Sequence, residues 1–204
     1  ALASLVGLAS LTVMFIRDGF LSIETVLFIA LAVACGLIYA TPPIRLATTG
    51  YGELLLVILV ANLLPAFSFL LQFGHFHRLL AMITFPLALF VLSMILILEF
   101  PRYAQDLRNL NRTFLIRLGW ENGAVLLNLL ILCGYLLIGL AMIMGLPFAI
   151  GAPVFLAFPI SMYQLFQLRR IVEGAKPNWT IFQVTAFAQV GVIGYLLAFS
   201  FWIR

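Results

Sequence analysis

The chain has 204 residues, of which 65% are hydrophobic and only 9% charged, with a mean hydropathy of +1.20. That composition excludes a water-soluble domain, which needs far more polar surface. The net charge of +4 is no argument for nucleic acid, because in so apolar a chain the information lies in which loops hold the cations.

A bilayer core about 30 Å thick is crossed by roughly 20 apolar residues in a helix. The apolar runs here are continuous rather than alternating, which sets aside a β-barrel. The expected fold is all-α, a polytopic transmembrane bundle forming a single domain over 1–204. Seven spans are expected, over 1–16, 22–40, 52–73, 79–100, 122–145, 147–168 and 180–203. Arg17-Asp18-Gly19 closes the first and Thr41-Pro42-Pro43 the second, while Gly74-His75-Phe76-His77-Arg78 comes after the third. Gly145-Leu146-Pro147 divides the fifth from the sixth, and Gly174 with Pro177 precedes the last. The first residue is Ala1 and no signal-peptide pattern precedes the first run, so the sequence is expected to be N-terminally incomplete. Cys35 and Cys133 fall inside apolar runs and read as buried, unpaired thiols. His75 and His77 sit in a flanking loop, where interfacial anchoring is preferred to metal ligation.

Loops after the second, fourth and sixth spans carry Arg45, Arg102, Arg108, Arg112, Arg117, Arg169, Arg170 and Lys176, whereas the other face carries Arg17, Arg78 and Arg204. The positive-inside rule therefore places the polar loops Tyr39–Glu53 and Glu99–Asn122 in the cytoplasm. The expected location is a bacterial or archaeal plasma membrane.

The most informative stretch is the polar island from Glu99 to Gly119. It holds four of the eleven basic residues, Arg102, Arg108, Arg112 and Arg117, and two of the seven acids, Glu99 and Asp106. Ionisable groups at a membrane helix end are costly and mark function by default. Glu99, Arg102 and Asp106 recur at helical spacings of three and four, so they project from one face. Carboxylates on a helix end can hold a cation that binds a diphosphate. Arg102, however, stands where a second acid would serve a metal, and its guanidinium is within reach of both carboxylates, as an internal salt bridge.

The segment Tyr39-Ala-Thr-Pro-Pro-Ile-Arg-Leu-Ala-Thr-Thr-Gly-Tyr-Gly-Glu53 resembles the Y-x-x-P-P-x-R-L…G-E loop of UbiA-type polyprenyltransferases, notably the menaquinone branch. The run from Glu99 through Asp106 to Gly119 is similar to that branch's E-F-P-D-Y-x-x-D…G-K-R-T-L-x-V-R-L-G segment, and Ala61-Asn-Leu-Leu-Pro65 also fits. Enzymes of this kind are nine-helix bundles that join a polyprenyl diphosphate to an aromatic acceptor, using Mg²⁺ held by two Asp-rich motifs. The seven spans would match helices three to nine, so the first motif is absent from the sequence. In the second, Arg102 replaces the first Asp, Asp106 keeps the second, and Leu110-Asn111 replace Gly-Lys.

The resemblance implies Mg²⁺ held by Glu99 and Asp106, diphosphate gripped by Arg45, Arg102 and Arg112, and Tyr39 beside the allylic cation, with Tyr39 and Asp106 as catalytic groups. An arginine binds a diphosphate bidentately, so loss of metal does not require loss of anion binding. Two functions are compatible with this pattern. One is prenyl transfer from a polyprenyl diphosphate to an aromatic quinone precursor or similar lipophilic acceptor, within membrane lipid. The other is a catalytically degenerate UbiA-like subunit that binds quinone, pigment or lipid beside other membrane subunits of an energy-transducing complex.

Overall fold

The computed structural model describes residues 23–41, 46, 49–73 and 77–202. The first expected span, Arg45, His75 and the Pro42-Pro43 turn lie outside them. Helix α1 is Ile23–Ala40. Helix α2, Gly52–Val57, passes through a π-helical segment, Ile58–Leu63, into α3, Leu64–Phe73. Helix α4 is Arg78–Glu99, succeeded by a 3₁₀ turn at Phe100–Arg102 and two short helices, α5 (Tyr103–Arg108) and α6 (Phe114–Leu118). Helix α7 is Trp120–Ile143, and α8 (Phe148–Gly151) leads through a 3₁₀ stretch, Ala152–Ala157, into α9 (Phe158–Val172). Helix α10 is Trp179–Trp202.

Five of these stretches are long and apolar enough to cross a membrane: Gly52–Leu70, Arg78–Arg108, Trp120–Ile143, Phe148–Val172 and Trp179–Trp202. They coincide with the last five expected spans. In α1, the expected second span, the apolar stretch is shorter.

Local chemistry sets the ends. His77 caps α4, its Nδ1 accepting from the Leu79 amide at 3.2 Å, and Asn178 caps α10 by accepting from Ile181. Gly174, at φ +92°, ends α9, where the Ala175 amide donates back to Arg170 and Gly174 to Ile171.

Helices α4, α7 and α10 form the middle of the bundle, with Phe90, Leu96, Ile97, Ile131 and Ile193 almost fully buried. Lipid is as apolar as leucine, so close packing rather than hydrophobic transfer joins such helices. Gly134 shows the fit: a Cβ there would meet the Phe90 ring at 2.7 Å, and the same ring meets Tyr135 edge-on at 4.9 Å. The centre is not wholly apolar. Tyr135 of α7 and Ser161 of α9 share a 2.7 Å hydrogen bond, and Gln189 of α10 reaches the same tyrosine. Gln164 is fully buried with both amide atoms unpartnered, and Gln189 has an unpartnered Nε2. Both described cysteines are free, but Cys133 is exposed on the bundle surface rather than buried as expected, because it lies away from the α7 face that meets α4.

Candidate functional site

The segments after α1, α4 and α9 meet at one end of the bundle. Trp120 at the start of α7 packs edge-on against Phe100 and Tyr103, at 4.7 and 5.7 Å, and against Trp179 at the start of α10, at 6.1 Å. The opposite end is tied by Arg78, whose Nη2 donates to the Met144 carbonyl at 2.6 Å.

The loop before α2 and the polar island interlock. Gly50, at φ +79°, lies so close to the island that a Cβ would come within 2.9 Å of the Arg112 and Thr113 carbonyl oxygens. Arg117 places its guanidinium 4.4 Å over the Tyr51 ring, and its Nε donates to the Thr49 carbonyl. Such stacking joins a cation–π attraction to a charged hydrogen bond. Arg117 therefore holds two protein segments together.

Pro101 makes α4 give way to a 3₁₀ turn after Glu99, which changes the angular phase of the residues beyond it. The salt bridge of Arg102 with Glu99 and Asp106 is consequently not formed. Among the described residues the ion pair found is Arg169–Glu173, at 2.8 Å on the surface. Glu99 turns inward, accepting from the Leu115 amide at 2.8 Å, and its carboxyl lies near that of Glu53 at the start of α2. Glu99 Oε1 and Glu53 Oε2 are buried with no hydrogen-bond partner among the described residues. Two carboxyl groups near one another repel unless something positive, a proton or a cation, sits between them. Asp106 accepts instead from the Asn111 side chain at 3.0 Å, which helps close the turn where Leu110 takes φ +55°.

Arg102, Arg108 and Arg112 are exposed beside this pair, and no described residue pairs with any of them. Tyr39 is half-buried in the last turn of α1. The structure thus brings Glu53 and Glu99 together, leaves Arg102 and Arg112 on the surface of the same loop cluster, and binds Asp106 locally. Glu53 and Glu99 are distant in the chain, so helical spacing could not pair them. The sequence marks Glu53 as the acid that closes the G-E loop pattern and as an acid opening an apolar helix, where an unpartnered charge is costly.

Mg²⁺ takes about six oxygen ligands, commonly one or two carboxylates with phosphates and waters. The described residues present two carboxylate oxygens, from Glu53 and Glu99, with Asp106 engaged elsewhere. No group of three His, Cys, Asp or Glu side chains among them is placed to hold a metal. These residues alone do not fit the ion, and no chemical step is assigned to it.

No curated protein and no solved structure gives a significant match to the chain. Residues 1–189 match the model of the UbiA prenyltransferase family, a polytopic membrane family whose helical character agrees with the fold above. The chain belongs to the UbiA prenyltransferase family.

Proposed function

We propose that the protein is a membrane prenyltransferase that moves a polyprenyl group from its diphosphate to an aromatic quinone precursor or a similar lipophilic acceptor. One observation carries this reading beyond the family match. Three guanidinium groups that no described residue pairs with, on Arg102, Arg108 and Arg112, sit in the loop cluster that caps the apolar bundle. Guanidinium forks match phosphate oxygens and stabilise charge that develops on them. In the reaction the allylic C–O bond breaks and its electron pair leaves with the diphosphate. An electron-rich ring carbon of the acceptor forms the new C–C bond, and that carbon's proton passes to solvent or to the leaving diphosphate. Arg102 and Arg112 hold the leaving group, with Arg45 a further candidate. Tyr39 offers an aromatic face to the allylic cation.

A second reading has a specific observation behind it. Arg102 occupies the first acid position of the family pattern, and Asp106 is bound to Asn111. Both favour a subunit that keeps the fold and binds a quinone, pigment or lipid without turnover. Radiolabelled prenyl transfer by the full-length protein, with and without Mg²⁺ and across a panel of aromatic acceptors, separates the two. Label in the acceptor is expected. No transfer under any condition, with stable co-purification of other membrane subunits, establishes the second reading.

A further inference from the structure

A groove of about 370 Å³ opens at the end of the bundle away from the loop cluster. One wall is the π-helical segment with α3, which contribute Asn62 and Ala66. The other is the first two turns of α4, with His77 and Arg78 at the mouth and Ala81 and Phe85 further along. From Arg78 to Phe85 the groove runs beside α4 for roughly 10 Å at the usual helical rise.

Its polar end offers donors. His77 uses Nδ1 to accept from Leu79, so in the neutral ring the proton is on Nε2. Arg78 commits one Nη2 hydrogen to Met144, and no other described residue takes up the rest of its five-donor fork. Among the described residues no acid lines the groove. Among the described residues Arg78 is the cation at this end of the molecule, since Arg102, Arg108, Arg112, Arg117, Arg169, Arg170 and Lys176 all belong to the loop end. A lone arginine at a membrane boundary is costly unless an anion answers it. Past the mouth the described lining is mostly apolar, with Phe28 of α1, Leu63, Ala66, Ala81 and Phe85 beside the polar side chains of Asn62 and Thr84.

We infer that this groove is a binding site for an anionic phospholipid, with the phosphodiester at His77 and Arg78 and one acyl chain lying along α4 toward Phe85. Charge complementarity selects the headgroup, and the apolar walls behind it select a chain-bearing molecule over a free anion. The site is independent of the prenyl-transfer reading, because it uses none of the residues assigned to that reaction.

The test uses the full-length protein in detergent, titrated by native mass spectrometry with phosphatidylglycerol and with a diglucosyl diacylglycerol of the same chains. A basic residue at the surface contributes on the order of fivefold in affinity for an anionic lipid, so phosphatidylglycerol is expected to bind about fivefold or more tightly than the glycolipid. Arg78→Gln should remove that preference. Ala81→Trp, which fills the groove at an exposed position and leaves Arg78 in place, should lower phosphatidylglycerol binding while leaving the melting temperature unchanged. Equal binding of the two lipids by the native protein overturns the proposal, as does Ala81→Trp binding like the native chain. Displacement of the lipid by millimolar inorganic phosphate also overturns it, by showing that the phosphate group alone is what binds.

Discussion

Glu99 separates two roles that a carboxylate can play at a helix end. One oxygen caps the Leu115 amide, and the other is buried beside Glu53. Glu99→Gln keeps an acceptor for the amide and removes the repulsion, so its melting temperature in detergent should equal or exceed that of the native protein. Glu99→Ala leaves the amide unsatisfied, at a cost of about 1–3 kcal/mol, and should melt lower. If the two variants melt alike, the capping bond contributes nothing. Arg102 is the opposite case, a charged side chain with no described partner. Arg102→Ala should leave thermal stability unchanged. It should weaken prenyl diphosphate binding by about tenfold or more, the equivalent of one charge-assisted hydrogen bond. Unchanged binding, measured by calorimetry, would remove Arg102 from the substrate site. The acids and arginines were legible in the sequence as residues worth attention, but their partners were not. Helical spacing grouped Glu99 with Arg102 and Asp106, and the 3₁₀ turn at Pro101 undid that grouping.

At the scale of elements, the two polar segments act as one unit because Gly50 lets them touch. Alanine at position 50 would take a left-handed conformation that costs about 1–2 kcal/mol, and its Cβ would press on two backbone carbonyls that cannot swing aside. Gly50→Ala should therefore destabilise the protein by about 2 kcal/mol or more and expose 109–113 to limited proteolysis. Cleavage no faster than in the native chain would show that the segments do not depend on this contact. Spans were readable because a run of roughly 20 apolar residues has few other fates, and glycine and proline punctuate them. The π-helical segment Ile58–Leu63 was not readable, since its hydrogen-bond shift leaves no mark in an apolar sequence. The approach of Glu53 to Glu99 was hidden for another reason, being made by the packing of α2 against α4.

For the whole molecule, three connections at one end and Arg78 with Met144 at the other give the bundle a polar axis. The bias of basic residues predicts that the loop end is cytoplasmic. With Cys35 and Cys133 replaced, single cysteines at 119 and 174 should resist an impermeant thiol reagent added to intact cells, and one at 77 should react. Labelling at 174 from outside would reverse the orientation. The buried polar centre has a consequence for how the chain is made. Helix α9 carries Gln164 and Gln167 into the bilayer, and its Ser161 bonds to Tyr135 of the preceding span. Hydrocarbon offers nothing to such groups. During synthesis α7 is therefore expected to gain its polar partner only when α9 emerges. A defect at Tyr135 would first be felt as loss of newborn protein to quality-control proteases, before any finished molecule existed to be assayed.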